Sequence, residues 1–248
     1  MLEIKNIYKS FGEQKVLQGL NMSIDKGKIY TIIGGNGTGK TTLFNLITGF
    51  LQLDKGEILL NNKRLDKHSP VLINSKGVTR TFQDLRIINQ LTVRENILLS
   101  LKDNPGEKVF NSLLPLRIFQ KQYDEFSEKA ENILEKIHLK GVEKNLAGEI
   151  SYGQQKLLTI GCCLANDAQL LLLDEPVAGI DEDNYTRIFN LILELKEEGR
   201  TILQIEHNHN FVEDLSDGIW FLNEGKAFPF ENYKTFINDQ TVKETYLN

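Results

Sequence analysis

An α/β fold is predicted for this 248-residue chain, with a mostly parallel sheet, an N-terminal antiparallel β portion and an inserted helical portion. Three observations predict it. Nearly continuous apolar runs at 28–33, 169–173 and 201–206 read as strands buried on both faces, as parallel sheets require. Helical patterns separate these runs, the alternation that builds such a sheet. Between about residues 92 and 139 the alternation stops and helical spacing takes over, so that stretch reads as an insertion into one core.

The elements follow in order. Residues 2–8 and 18–24 read as short strands with turns at Gly12 and Gly27. The β-branched run 28–33 enters a glycine-rich segment, then a helix begins with Leu43, Phe44, Leu46 and Ile47. Residues 57–60, Asn61-Asn62 and Lys63 form a hairpin pattern, because asparagine tolerates the positive φ of a tight turn. Further on, Phe126, Ala130, Ile133, Leu134 and Ile137 share one helical face, with Glu125 and Lys129 paired at its surface. A strand over 169–174 is followed by a helix carrying Ile188, Leu191, Ile192 and Leu195, which stops at Gly199. The strand 201–206 and a hairpin over 219–228, turning at Asn223-Glu224-Gly225, complete the pattern.

Composition narrows the function classes. Forty per cent hydrophobic and 25% charged residues are ordinary globular values, and a chain this long buries a core without disulfides. A net charge of -5 argues against nucleic acid as the main partner. No apolar run approaches the roughly 20 residues that a bilayer span needs. The chain opens directly in strand-like alternation, so no leader peptide is expected. Cys162 and Cys163 are adjacent and lack metal-ligand spacing, which fits small apolar helix residues in a reducing compartment.

The segment Gly34-Gly35-Asn36-Gly37-Thr38-Gly39-Lys40-Thr41-Thr42 matches the phosphate-binding pattern G-x-x-x-x-G-K-[ST]. Glycines let successive backbone N–H groups converge on a phosphate, and the following helix offers its N-terminus to the same anion. Lys40 supplies a point charge for the β and γ phosphates of ATP, and Thr41 a hydroxyl for Mg²⁺. The run 170–173 ends in Asp174-Glu175, at the strand end where such sheets bind ligands. Asp174 is the expected Mg²⁺ ligand and Glu175 the expected base for the attacking water. Ser151 and Gln154 form a capping-box pattern at the start of a helix.

Ser151-Tyr152-Gly153-Gln154-Gln155 also resembles the signature motif of ABC transporter ATPases, usually written L-S-G-G-Q. Tyr152 followed by Gly-Gln-Gln resembles the subunits of branched-chain amino-acid and urea importers. The resemblance extends along essentially the whole chain and implies a P-loop NTPase (RecA-like) core. It implies that Phe11 stacks on adenine and that Gln83, in Arg80-Thr81-Phe82-Gln83-Asp84, contacts Mg²⁺ and reports to the membrane subunit. It further implies that Asp181 lies in a loop crossing between protomers and that His207 reaches the γ-phosphate. Ile150 and Tyr152 depart from the commonest form of the signature; Gly35, Glu182 and Asn208 depart elsewhere, and none of these three removes a phosphate, metal or water contact. By the same resemblance, residues 1–83 plus 158–248 form the nucleotide-binding core and 84–157 the helical subdomain.

Two ATPase subunits, as a homodimer or with a paralogous subunit, would then sandwich two ATP molecules. Each ATP would be held by one copy's phosphate loop and the other copy's Ser151, Gly153 and Gln154. Separate transmembrane permease subunits would convert closure and reopening into transport, placing this chain on the inner face of the cell membrane. Branched-chain amino-acid-type import is the leading expectation, with lipid or lipopolysaccharide export as the alternative. A soluble ATPase acting on ribosomes or DNA is disfavoured by the single cassette, the modest insertion and the acidic charge. The apolar residues 109–119 suggest a docking groove for the permease beside Gln83, with an apolar border at 85–91.

Overall fold

The computed structural model describes residues 1–83, 85–102 and 116–247, of which 116–123 are described by backbone alone. The apolar stretch 109–119 lies outside the residues whose side chains are described. The chain divides into two compact units. The first comprises Met1–Arg80, Gln169–Ala178 and Ile192–Asn248, and the second Thr81–Ala168 and Gly179–Leu191.

The first unit carries two sheets. β1 (Leu2–Phe11), β2 (Gln14–Ile24), β4 (Lys55–Leu60) and β5 (Lys63–Arg64) pair antiparallel in the order β2-β1-β4-β5. Asn61 and Asn62 turn β4 into β5 at φ 49° and 63°, as the hairpin pattern predicted. The second sheet has the order β10-β9-β3-β8-β7-β6. Its strands are β3 (Ile29–Ile33), β6 (Val78–Arg80), β7 (Leu170–Asp174), β8 (Thr201–Ile205), β9 (Gly218–Asn223) and β10 (Lys226–Phe230). All neighbours are parallel except β10, which folds back antiparallel on β9. Every residue of β7 and β8 is buried, which is why Leu170–Leu173 runs without alternation and β8 is apolar but for Thr201 and Gln204.

Helix α1 (Lys40–Ile47) buries Leu43, Phe44, Leu46 and Ile47 in one cluster. That cluster joins Leu2 and Ile4 of β1, Leu20 and Ile24 of β2, and Leu170, Leu172, Leu203 and Ile205 of the parallel sheet. Each such side chain contributes about 1.5–3 kcal/mol by leaving water. A second cluster joins Ile33, Ile219 and Phe221 to Val212 of α7 (His209–Leu215), Phe236 of α8 (Tyr233–Asn238) and Val242 of α9 (Gln240–Val242). A π-helical turn, Lys243–Leu247, follows α9. β6, α2 (Pro70–Ser75) and α7 were not legible in the sequence: three to seven residues carry too little periodicity.

In the second unit, α3 (Val93–Ser100), α4 (Leu116–Lys136) and α5 (Tyr152–Leu164) pack together. Ala130 and Leu134 are buried along the predicted face of α4, as is Ile137 just past its end, with Phe126 and Ile133 partly so. Lys129 places Nζ 5.5 Å from the Phe126 ring centre. Thr92 and Glu95 close a capping box at the start of α3. Helix α6 (Glu182–Glu197) carries its apolar face at Ile188, Leu191, Ile192 and Leu195, all buried. Among the described residues, no helix is long and apolar enough to cross a membrane.

Candidate active site

The loop 34–39 connects β3 to α1. At its last residue, Gly39, the backbone takes φ 101°, and an added Cβ would lie 2.9 Å from the Leu17 side chain and 3.0 Å from Val16. Both the left-handed backbone and the close approach of β2 therefore call for glycine. Lys40 opens α1 and is buried. Its Nζ folds back over the loop and donates to the carbonyls of Gly34 at 2.7 Å and Gly35 at 2.8 Å. Burial holds this ammonium below the usual lysine range, while the charges of Glu175 and Asp174 act in the opposite sense. Thr38 donates to the Gly35 carbonyl at 2.9 Å. Asn36, Gly37 and Thr41 are exposed, and Thr42 is half-buried.

Asp174 ends β7, and its buried carboxylate accepts from Arg80 Nη2 at 2.7 Å. Arg80 also donates from Nη1 to Asn45 on α1 at 2.6 Å, and lies 5.1 Å from the Phe44 ring centre. One arginine thus fastens the acid at the end of β7 to the phosphate-loop helix. Nothing beside Arg80 in the sequence announces this role. Only the pairing of β6 beside β7, with Arg80 opposite Leu172, brings it there.

Glu175 follows with φ 50°, left-handed backbone that costs a non-glycine residue about 1–3 kcal/mol. Its N–H donates to the Ile205 carbonyl at 2.9 Å, and its Oε1 lies 3.7 Å from His207 Nε2. Glu206 is buried beside them. It accepts from the backbone N–H groups of Val177 at 3.0 Å, His207 at 2.9 Å and Asn208 at 3.2 Å. This carboxylate ties the turns after β7 and β8 together. Burial, then the positive charge of Lys40, hold the His207 imidazole below its ordinary pKa against the pull of Glu175 and Glu206. At neutral pH the ring is therefore predominantly neutral. Lys40, Asp174, Glu175 and His207 thus converge in the first unit, at the carboxyl ends of parallel strands. Phe11 ends β1, 47% exposed, with Lys9 Nζ 5.5 Å from its ring centre.

The remaining predicted residues belong to the second unit. Gln83 is exposed, three residues beyond β6. The capping box at α5 forms as its sequence predicts: Ser151 Oγ accepts from Gln154 N–H at 3.3 Å, and Gln154 Oε1 accepts from Ser151 N–H at 3.0 Å. Gly153 faces Asn184, whose side chain would lie 2.5 Å from an added Cβ. Asn184 donates to Asp181 from its backbone at 2.9 Å and from its side chain at 2.7 Å. These bonds, the backbone one foremost, hold the Asp181 carboxyl below its usual pKa. Asn184 therefore joins Gly153 to the Asp181 turn, a link that sequence spacing does not reveal.

A family model described as ABC transporter matches residues 17–178. The chain is 39% identical to the probable branched-chain amino acid transport ATP-binding protein of Methanocaldococcus jannaschii, covering 100% of this chain and 97% of the relative. It is 32% identical to the high-affinity branched-chain amino acid transport ATP-binding protein of Escherichia coli K12, with the same coverage. Among solved structures, the ADP conformation of an ATP-binding cassette of an ABC transporter superposes with a TM-score of 0.86 at 38% identity, covering 100% of this chain and 98% of that one.

Proposed function

The chain belongs to the ABC transporter family as an ATP-binding, ATP-hydrolysing subunit, and from that premise we propose that it powers import of branched-chain amino acids. The convergence of Lys40, Asp174, Glu175 and His207 carries the mechanism. Full-length similarity to relatives named for branched-chain amino-acid transport supports the cargo class.

The residues fit MgATP by their chemistry. Lys40 is a cation buried against two carbonyl dipoles, an arrangement that a polyphosphate completes. Thr41 hydroxyl, Gln83 amide oxygen and Asp174 carboxylate are the hard oxygen ligands that Mg²⁺ takes. When bound there, the metal neutralises charge building on the phosphates. Phe11 offers an exposed ring for adenine. Glu175 accepts the proton of the water whose oxygen attacks the γ-phosphorus as the bond to the β-phosphate oxygen breaks. His207 holds a γ-phosphate oxygen through a ring N–H.

The other half of each site comes from a second copy or a paralogue. The capped start of α5 is an anion site in its own right, because its first-turn N–H groups carry the positive end of the helix dipole. Ser151, Gly153 and Gln154 there would close on the partner's nucleotide, with Asp181 at the crossing between chains. Separate permease subunits supply the membrane path and hold this chain at the membrane's inner face. Exposed Ile88, Leu99 and Leu146 on the unit that carries Gln83 support a docking surface there.

Glu175→Gln tests the shared site. Glutamine keeps the size of glutamate but cannot accept the water's proton, so ATP stays in place and mass action favours the dimer. Size-exclusion chromatography with MgATP should show a dimer for Glu175→Gln and a monomer when Ser151→Arg is added. A monomer at saturating ATP, or unimpaired hydrolysis, would overturn the assignment. The cargo is tested by ATP-driven uptake of labelled leucine into vesicles carrying the chain with its permease subunits. Transport of urea or export of lipid instead would replace the import of branched-chain amino acids.

A further inference from the structure

The backbone of His207 is anchored by Glu206, but its ring is oriented by a residue 39 positions away. Tyr246, in the π-helical turn Lys243–Leu247, places its hydroxyl 3.1 Å from His207 Nδ1. The Tyr246 ring is itself fixed, with centroids 6.0 Å from Phe221 and 6.1 Å from Phe236. Both phenylalanines are buried in the cluster that docks the C-terminal helices on the parallel sheet.

We propose that Tyr246 is a positioning residue for hydrolysis: its hydroxyl donates to Nδ1 of His207 and holds the imidazole in the tautomer that carries its proton on Nε2. The direction of this bond follows from the far side of the ring. Nε2 faces the Glu175 carboxylate at 3.7 Å, and an ionised carboxylate only accepts. A bare Nε2 lone pair would repel that carboxylate and any phosphate oxygen beside it, whereas Nε2–H is attracted to both. Nδ1 is then the acceptor, and the tyrosine hydroxyl is the donor that matches it. Burial pushes the Tyr246 phenol up, so it keeps its proton. The hydrogen bond at one ring nitrogen sets the chemistry of the other. The catalytic consequence rests on the reading of His207 as a γ-phosphate contact; the tautomer does not.

Tyr246→Phe removes the hydroxyl and keeps the ring between Phe221 and Phe236, so the fold should persist. With only four histidines, long-range ¹H–¹⁵N spectra of the nucleotide-free protein can be assigned by comparison with His207→Ala. Unmodified protein should show His207 predominantly as the Nε2–H tautomer, and Tyr246→Phe should show a mixture of both. Turnover of Tyr246→Phe should fall about tenfold with KM for MgATP unchanged. Identical His207 nitrogen shifts in the two proteins would overturn the proposal. Undiminished turnover in His207→Ala would instead overturn the phosphate-contact reading, and the ring spectra, recorded without nucleotide, distinguish that failure from the first.

Discussion

Arg80 and Asp174 form an ion pair with both side chains about 95% buried. Removing one member strips the other buried charge of its ion-pair partner, which costs about 3–5 kcal/mol. Arg80→Met should therefore lower the urea midpoint by that much stability with the slope unchanged, and a loss below about 1 kcal/mol would count against the pair as a brace. Lys40→Ala acts on binding instead. The lysine's charge-assisted bonds to phosphate are worth about 2–3 kcal/mol, so calorimetry should show MgATP binding weakened by roughly 30- to 150-fold. An unchanged dissociation constant would remove Lys40 from the site. Cys162 offers a pH-dependent readout. Burial pushes its thiol up to about 11, and the thiolate is the reactive form. At pH 8 only about a thousandth of it is ionised, so native alkylation should be slow and should quicken about tenfold per pH unit until near 11. Rapid labelling of Cys162 at pH 8, told from Cys163 by peptide mapping, would contradict this packing.

At the scale of elements, α5 shows how one residue serves packing and chemistry together. Its cap satisfies one of the donors that every helix start leaves open, the Gln154 N–H, and the donors left over are the proposed anion site. Gly153, in its first turn, has no room for a Cβ because Asn184 fills the space. Gly153→Ala should displace Asn184 and loosen the Asp181 turn, at a cost of about 1–3 kcal/mol from overpacking. Calorimetric melting should fall by several degrees, and the ATP-dependent dimer of a Glu175→Gln background should be lost. Retention of that dimer would show that the Gly153–Asn184–Asp181 link is not needed at the interface. Elements were legible in the sequence where their period was long or their turn chemistry local. α4 and α6 declared an apolar face, and Asn61-Asn62 declared a hairpin. β6 did not, because three residues on a sheet edge carry no period.

For the whole molecule, the same distinction separates residues whose chemistry is legible in the sequence from those whose partners only the fold supplies. The phosphate loop, Asp174-Glu175 and the Ser151 cap are contiguous, so spacing alone exposes their chemistry. Arg80, Glu206 and Tyr246 act through strand pairing or through chain returning from far away, and an isolated charge or hydroxyl does not announce its partner. Glu175 belongs to the first group by identity and to the second by backbone, since nothing in its neighbours foretells φ 50°. That angle sets thermal endurance against turnover. A heated library selected only for survival would be drawn towards glycine or asparagine here, which hold a left-handed backbone at less cost. Such variants would outlast the parent in the heat and, with Glu175 in the proposed role of base, would hydrolyse nothing. On that reading, a sequence chosen only to maximise melting temperature would discard the glutamate.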